Sequence, residues 1–367
     1  MIGESDKLRI ETKDLLCIDG IVSNNQENIA AEIMNEGVII PAFFNMHSHL
    51  GESIFKSISG DDWTISRYLE YTEKYNAELS KEERDSVWLE SARYTARQMY
   101  AQGTLGFCAA RSSSIAKEFN LLTMSGYPIM NSRKLIDFKN AGLNGFIAYM
   151  NENKSVAGKV GVFLHSIYSN DAESFDFARQ CIKNGADFIT VHVSEDLYTS
   201  EMEKKRHNMS AIELLDKYGL LSDKTVLVHC GCCSDEDLLL IKERHAIICV
   251  CPISNRFLNT RMVNLYKLEE IGIPWCIATD GIGTGRTFSL LEQIKHARSE
   301  YPDIPLARYW SSITIEPGFC YKGSLYTGRI EVGVRSSFLL TDYENNDVNE
   351  LIEGLVEGKI GFKPIRL

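Results

Sequence analysis

Eight short apolar runs, separated by longer amphipathic stretches, constrain this chain more than any other feature. They cover residues 38–45, 104–109, 128–132, 160–165, 188–193, 225–230, 246–251 and 274–279. A short apolar run between turn signals reads as a strand buried on both faces. Strands that alternate with helical patterns read as βα units of a parallel sheet. The helical patterns fall at 81–102, 172–184, 210–218, 234–244, 265–271 and 289–300, and their ends are punctuated as helices require. Ser234 with Asp237 three residues on makes a capping-box-like start, and Gly103, Gly185 and Gly219 stand where helices should stop. Eight such units make a TIM-type barrel, whose chemistry is carried at the C-terminal ends of its strands.

The first 37 residues break that rhythm, with short alternating pieces such as LRIET and DLLCIDGIVS, and GRIEVGVRSSFLLTD at 328–342 has the same character. The expectation is therefore an α/β chain: a (β/α)8 TIM-type barrel over 38–327, with a small β-sandwich appendage formed by both chain ends, 1–37 and 328–367. No stretch approaches the length of apolar sequence a membrane span needs. The N-terminus has no apolar core of a secretory signal, which points to a cytoplasmic protein that does not meet the membrane. With 39 basic against 50 acidic residues the net charge is −11, the wrong sign for gripping nucleic acid. The 10 cysteines are no disulfide framework in a chain this long. Cys230, Cys232, Cys233, Cys249 and Cys251 lie in apolar segments, where free cysteine is a small hydrophobe, and C-x-C-C is not a common structural-zinc spacing.

Six polar residues fall at the ends of the expected barrel strands. His47 and His49 close the first strand, His192 the fifth with Glu195 three residues later, His229 the sixth and Asp280 the eighth. Only the C-terminal mouth of a closed barrel would bring such distant positions together. Three neutral imidazoles and a carboxylate suit a borderline cation such as Zn²⁺ or Fe²⁺ and suit Mg²⁺ or Ca²⁺ badly. An open coordination position would hold water and bring its pKa towards neutrality. A glutamate beside it is available to shuttle protons, and a further histidine to orient the attacking oxygen. Singly, each of these residues is better explained as a satisfied strand-end histidine or a helix cap; the argument rests on their coincidence in one barrel pattern. His207, His245 and His296 are left as surface or structural residues, His296 as a solvated helical one.

These residues stand in contexts that resemble a known family. VIIPAFFNMHSHL, HVSED (192–196), GLLSDKTVLVHCGCCSDEDL (219–238), CPISNRFL (251–258), IATDGIGTG (277–285) and YTGRIEVGVRSSFLLTD (326–342) resemble, in order, the motifs of the amidohydrolase superfamily. The match is to its cytosine-deaminase-like and chlorohydrolase branch. The resemblance implies that His47, His49, His192 and Asp280 are the metal ligands, one divalent ion per subunit. It implies Glu195 as proton shuttle, His229 as the residue that orients hydroxide, and Asp280 as a base that helps to deprotonate the attacking water. His165, in FLHSIYS, takes the place of a substrate-contacting histidine. Trp63, in DDWTISRYLEY, matches a segment that lines the pocket in related deaminases. Arg133 stands where some relatives hold a polar substrate tail. Ala42 and Ser337 depart from the usual Gly and Asp of the family's motifs. No lysine ends the fourth strand, which argues against a carbamylated two-metal site.

The branch hydrolyses aminated or chlorinated heterocycles, and CPISNRFL with LVHCGCCSDEDL most resembles deaminases of adenine-bearing nucleosides, including aminofutalosine- and adenosylhomocysteine-type enzymes. The expected function is thus hydrolytic deamination of a small heterocycle, an aminopurine nucleoside first among them. The resemblance also allows a homodimer. A first rival is hydrolysis of another C–N bond, in a cyclic amide or amidine, a guanine or pterin, or a triazine. A second is a metal-binding barrel that has lost catalysis, which would have no need of Glu195 and His229.

Overall fold

Short strands such as ITVHV and TVLVH are buried at every position, and strands apolar on both faces are stable only inside a parallel sheet with helices outside it. The computed structural model describes residues 8, 16–18, 21–23, 37–58, 60, 62–131, 138–321, 326–335 and 337–366. Its thirteen strands begin with a hairpin, β1 (Leu16–Ile18) and β2 (Ile21–Ser23), followed by β3 (Ile39–Pro41). Next come β4 (Phe43–Ser48), β5 (Thr104–Ala110), β6 (Leu122–Ile129) and β7 (Lys159–Ser166). β8 (Ile189–Val193), β9 (Thr225–His229), β10 (Ile247–Val250) and β11 (Trp275–Ile277) complete the parallel set. The last two are β12 (Ser337–Thr341) and β13 (Phe362–Arg366).

β4 to β11 form one sheet of eight strands in sequential order, each paired parallel to the next. The seam between first and last is closed by side chains and one backbone bond. Asn45 Nδ2 donates to Thr279 Oγ1 at 2.7 Å, Thr279 N–H donates to Asn45 Oδ1 at 3.1 Å, and Asp280 N–H donates to the His47 carbonyl at 3.2 Å. The barrel is filled by Phe44, Met46, Cys108, Met124, Val228, Cys249, Cys276 and Ala278, all buried, and a larger apolar layer lies between strands and helices. Helices start where their caps allow. Ser80 with Glu83, Ser210 with Glu213 and Ser234 with Asp237 each form a capping box.

Two expectations need correction. The third barrel strand is Leu122–Ile129, not 128–132; only its last two residues were anticipated. The run at 38–45 is two strands rather than one. β3 pairs antiparallel with β12, which pairs with β13, while β4 enters the barrel, with Ala42 as the single residue between. Val22 exchanges backbone hydrogen bonds with Val334 and Gly333, so both chain ends contribute to this small β structure. The C-terminal stretch also holds a helix, Val348–Val356, whose Leu351, Ile352, Leu355 and Val356 join the main core. Among the described residues no helix is long and apolar enough to cross a membrane.

Candidate active site

Parallel pairing in register carries the ends of β4, β8, β9 and β11 to one mouth of the barrel. There His47, His49, His192 and Asp280 offer ligand atoms that all lie within 4.8 Å of one another. His47 Nε2 is 3.1 Å from His49 Nε2 and 3.0 Å from His192 Nε2. His49 Nε2 is 3.3 Å from His192 Nε2, and both His47 and His49 stand 3.3 Å from Asp280 Oδ1. Register irregularities fall in β4 between Asn45 and Ser48, and in β7 between Leu164 and Ser166. Irregularities of this kind re-aim side chains next to active sites.

Three imidazole nitrogens this close cannot satisfy one another, because each neutral ring has one proton. His192 has already committed its own: its Nδ1 faces the His165 carbonyl, which leaves the Nε2 lone pair turned into the cluster. Polyhedra with metal–ligand distances of roughly 2.0–2.2 Å have edges of about the observed length. The group therefore fits a divalent cation bound by three nitrogens and one carboxylate oxygen, and it is the one group of metal-ligand type among the described residues.

Electrostatics agree. Burial pushes His47 down to about 4 and His192 well below its usual value, so both rings are neutral at pH 7. Burial also opposes charge on His49, but the carboxylates of Glu52 and Asp280 outweigh it and hold that ring up at about 9. For Asp280, burial alone would favour the acid; hydrogen bonds from His47 and His49 hold it well below the carboxylate range. A cation would supply the positive charge that His49 carries here.

Glu195 sits beside this group, buried, with Oε1 3.3 Å from His229 Nε2. Burial, then the nearby Asp280 charge, pushes its carboxyl well above the ordinary range, which favours the acid over the anion. His229 Nε2 is 4.0 Å from Asp280 Oδ2, and burial lowers its pKa. His229 and Asp280 both have left-handed backbone, φ 75° and 61°. Non-glycine residues seldom adopt it, and such strain concentrates where a side chain must be aimed.

The six strand-end residues are thus brought together. His165 lies at the same mouth, its ring 5.0 Å from that of His192 and its Nδ1 within 3.2 Å of the Ser166 and Ser169 hydroxyls. Trp63 is buried in an aromatic cluster, stacked on Phe257 at 6.2 Å with the Arg67 guanidinium 4.5 Å above its ring. Arg133 lies outside the described residues. His296 is half-buried rather than solvated, with Nε2 3.5 Å from Glu300.

Several residues escaped the sequence reading. Ser254 Oγ donates to Asp280 Oδ2 at 2.6 Å and Thr284 Oγ1 to the same oxygen at 3.3 Å. Asn45 locks the barrel seam beneath His47. Glu52, three residues past His49, accepts from Tyr68 Oη at 2.7 Å. Ser254 was within reach: it follows a buried strand in CPISN, one helical turn into the barrel mouth.

Residues 38–361 fit the profile of the Amidohydrolase family. A 5-methylthioadenosine/S-adenosylhomocysteine deaminase of Pyrococcus furiosus is 24% identical over 314 residues, which cover 81% of this chain and 73% of that one. A 5′-deoxyadenosine deaminase of Methanothrix thermoacetophila is 23% identical over 275 residues, covering 75% of this chain and 65% of the relative. Among solved structures, guanine deaminase from C. acetobutylicum with bound guanine superposes with a TM-score of 0.80 at 21% identity, covering 97% of this chain and 93% of that one.

Proposed function

This chain belongs to the amidohydrolase family, and from that premise we propose that it is a metal-dependent hydrolase that deaminates an aminopurine nucleoside of the adenosine type. Relatives named for adenosine-type substrates support the choice of nucleoside. The observation that carries the chemistry is Glu195: a buried carboxyl 3.3 Å from His229, pushed towards its acid form by that burial, beside a cluster of three imidazoles and a carboxylate.

His47, His49, His192 and Asp280 would hold one Zn²⁺ or Fe²⁺ per subunit. The chemistry such an ion supplies when bound is Lewis acidity, which brings the pKa of water towards neutrality. The chain's own groups do the rest. Asp280, held ionised, accepts a proton from the attacking water. Glu195 gives its proton to the ring nitrogen beside the carbon under attack, takes one from the hydroxyl that has added, passes it to the amino group, which leaves as ammonia, and is reprotonated by the proton that Asp280 took from the water. His229 donates to the oxygen that adds and orients it. His165, Trp63 and Arg133 are assigned to substrate contact, and the barrel over 38–327 to the catalytic domain.

Ammonia release by zinc- or iron-loaded protein across aminopurine nucleosides, free bases, pterins and triazines tests this. Stoichiometric ammonia from one nucleoside with the ring intact is the expected result. Turnover of guanine or a triazine instead would move the reading to another heterocycle. Metal-replete protein inert across the whole panel would overturn it.

A further inference from the structure

Glu52 lies three residues past His49 on the short 3-10 helix Leu50–Phe55, and two glycines of IATDGIGTG make room for it and its partner. A Cβ at Gly281, the residue after Asp280, would lie 1.9 Å from Glu52 Oε2. A Cβ at Gly283 would lie 2.2 Å from Tyr68 Oη, the hydroxyl that donates to that oxygen at 2.7 Å. Gly281 has φ −74°, a conformation any residue adopts, so glycine is needed here for space and not for backbone freedom. The Glu52 carboxylate is thus packed against the backbone that follows one member of the metal-ligand group, while its own chain segment leads from another.

Tyr68 belongs to the helix Ile65–Ala77, which packs through Ile65 and Tyr68 into the aromatic cluster of Phe55, Trp63 and Leu258. We infer that Glu52, pinned by Tyr68, is a positioning residue of the metal site: a carboxylate outside the ligand group that braces the backbone following Asp280 against the segment leading from His49, and ties the excursion 50–77 to the site. Groups just outside a ligand shell hold the ligands in place, and their loss typically costs about 10–100-fold in metal affinity. The inference rests on the reading that His47, His49, His192 and Asp280 hold a divalent ion.

The test is zinc affinity of the full chain, measured by competition with a chelator and without substrate. Glu52→Gln keeps the size of the side chain and an acceptor for Tyr68 but removes the charge, and should weaken zinc binding about 10–100-fold. Glu52→Asp, which restores charge at shorter reach, should recover part of the loss. Tyr68→Phe should lower affinity in the same direction by a smaller factor, and remains informative if Glu52→Gln does not fold. Zinc affinity within twofold of wild type in folded Glu52→Gln, or in Tyr68→Phe, overturns the inference. Failure of the deaminase reading looks different: the chain would bind zinc with the expected dependence on Glu52 and release no ammonia.

Discussion

Glu203 should make this protein less stable as pH rises, and replacing it with glutamine should remove the effect. The residue lies on the helix Leu197–His207 with 4% of its surface exposed, and its Oε2 is buried without a hydrogen-bond partner. Burial, reinforced by the nearby Asp196 charge and resisted by a hydrogen bond from the Tyr168 backbone, pushes its carboxyl from 4.5 up to about 8. Below pH 4.5 both folded and unfolded chains hold the proton, and Glu203 contributes no pH dependence. Between 4.5 and 8 the unfolded chain has released it while the folded chain keeps it, so stability falls as pH rises. Above 8 both are ionised and the penalty stands at full size. At about 1.36 kcal/mol per pKa unit the shift amounts to about 5 kcal/mol as an upper bound, and movement of the helix end to admit water would bring it to about 3 kcal/mol. For a chain of 367 residues, an unfolding entropy near 2.1 cal/mol/K per residue converts that into about 4 °C of Tm. Glu203→Gln keeps the acceptor for Tyr168 and carries no charge. Thermal unfolding with zinc held saturating should give matching Tm values for the two proteins at pH 5 and a variant about 4 °C higher at pH 9. Parallel curves from pH 5 to 9 would refute the reasoning.

Glu195→Gln should retain metal, checked by bound-metal analysis, and lose about 10²–10⁴ in kcat, since the amide cannot shuttle a proton. Ser254→Ala removes the 2.6 Å hydrogen bond to Asp280 Oδ2; zinc affinity should fall about 10–100-fold in chelator competition, and an unchanged value would show that Thr284 alone suffices. Gly161→Ala would put a Cβ 2.3 Å from the Phe188 carbonyl oxygen on the neighbouring strand. Backbone cannot yield there as a side chain would, so urea unfolding should show a loss of about 1–3 kcal/mol or more.

The barrel was legible because burial on both faces leaves a plain trace in hydropathy, and it was misread where that trace is interrupted. β6 carries Thr123, Ser125 and Gly126, which broke the apolar run and moved the expected strand towards Pro128. In the folded protein those hydroxyls are satisfied internally: Thr123 Oγ1 lies 2.6 Å from Ser112 Oγ, and Ser125 Oγ 2.7 Å from Tyr149 Oη. A strand can then be buried without being apolar. The run at 38–45 was read as one strand because hydropathy does not record that the chain changes sheets at Ala42. The site divides the same way. Histidines and a carboxylate at strand ends are uncommon enough to be noticed, whereas Asn45 and Ser254 are ordinary residue types whose roles depend on contacts across more than 20 residues of chain, and Glu52 and Thr284 on a tyrosine and glycines, or a carboxylate, that only the fold brings to them.

One physical cause sets the protonation of most of this site. Beneath the polar layer the barrel interior is apolar, filled by Phe44, Met46, Val228, Cys249, Cys251 and Ala278. Water is kept from the layer above, and desolvation penalises whichever form of each group is charged. For His47 and His192 the charged form is the cation, so burial leaves neutral rings, the form in which imidazole binds metal. For Glu195 it is the anion, so the same burial favours the acid. Asp280 is the exception because two imidazoles donate to its carboxylate and the Ser254 and Thr284 hydroxyls supply further bonds. The proposed ligands, acid and base are thus distinguished less by residue type than by which of them the surrounding donors compensate. A polar substitution in the floor, such as Cys251→Ser, should therefore act on ligand and acid together: it would ease the desolvation of His192 and Glu195 at once, and lower zinc affinity and kcat in the same variant.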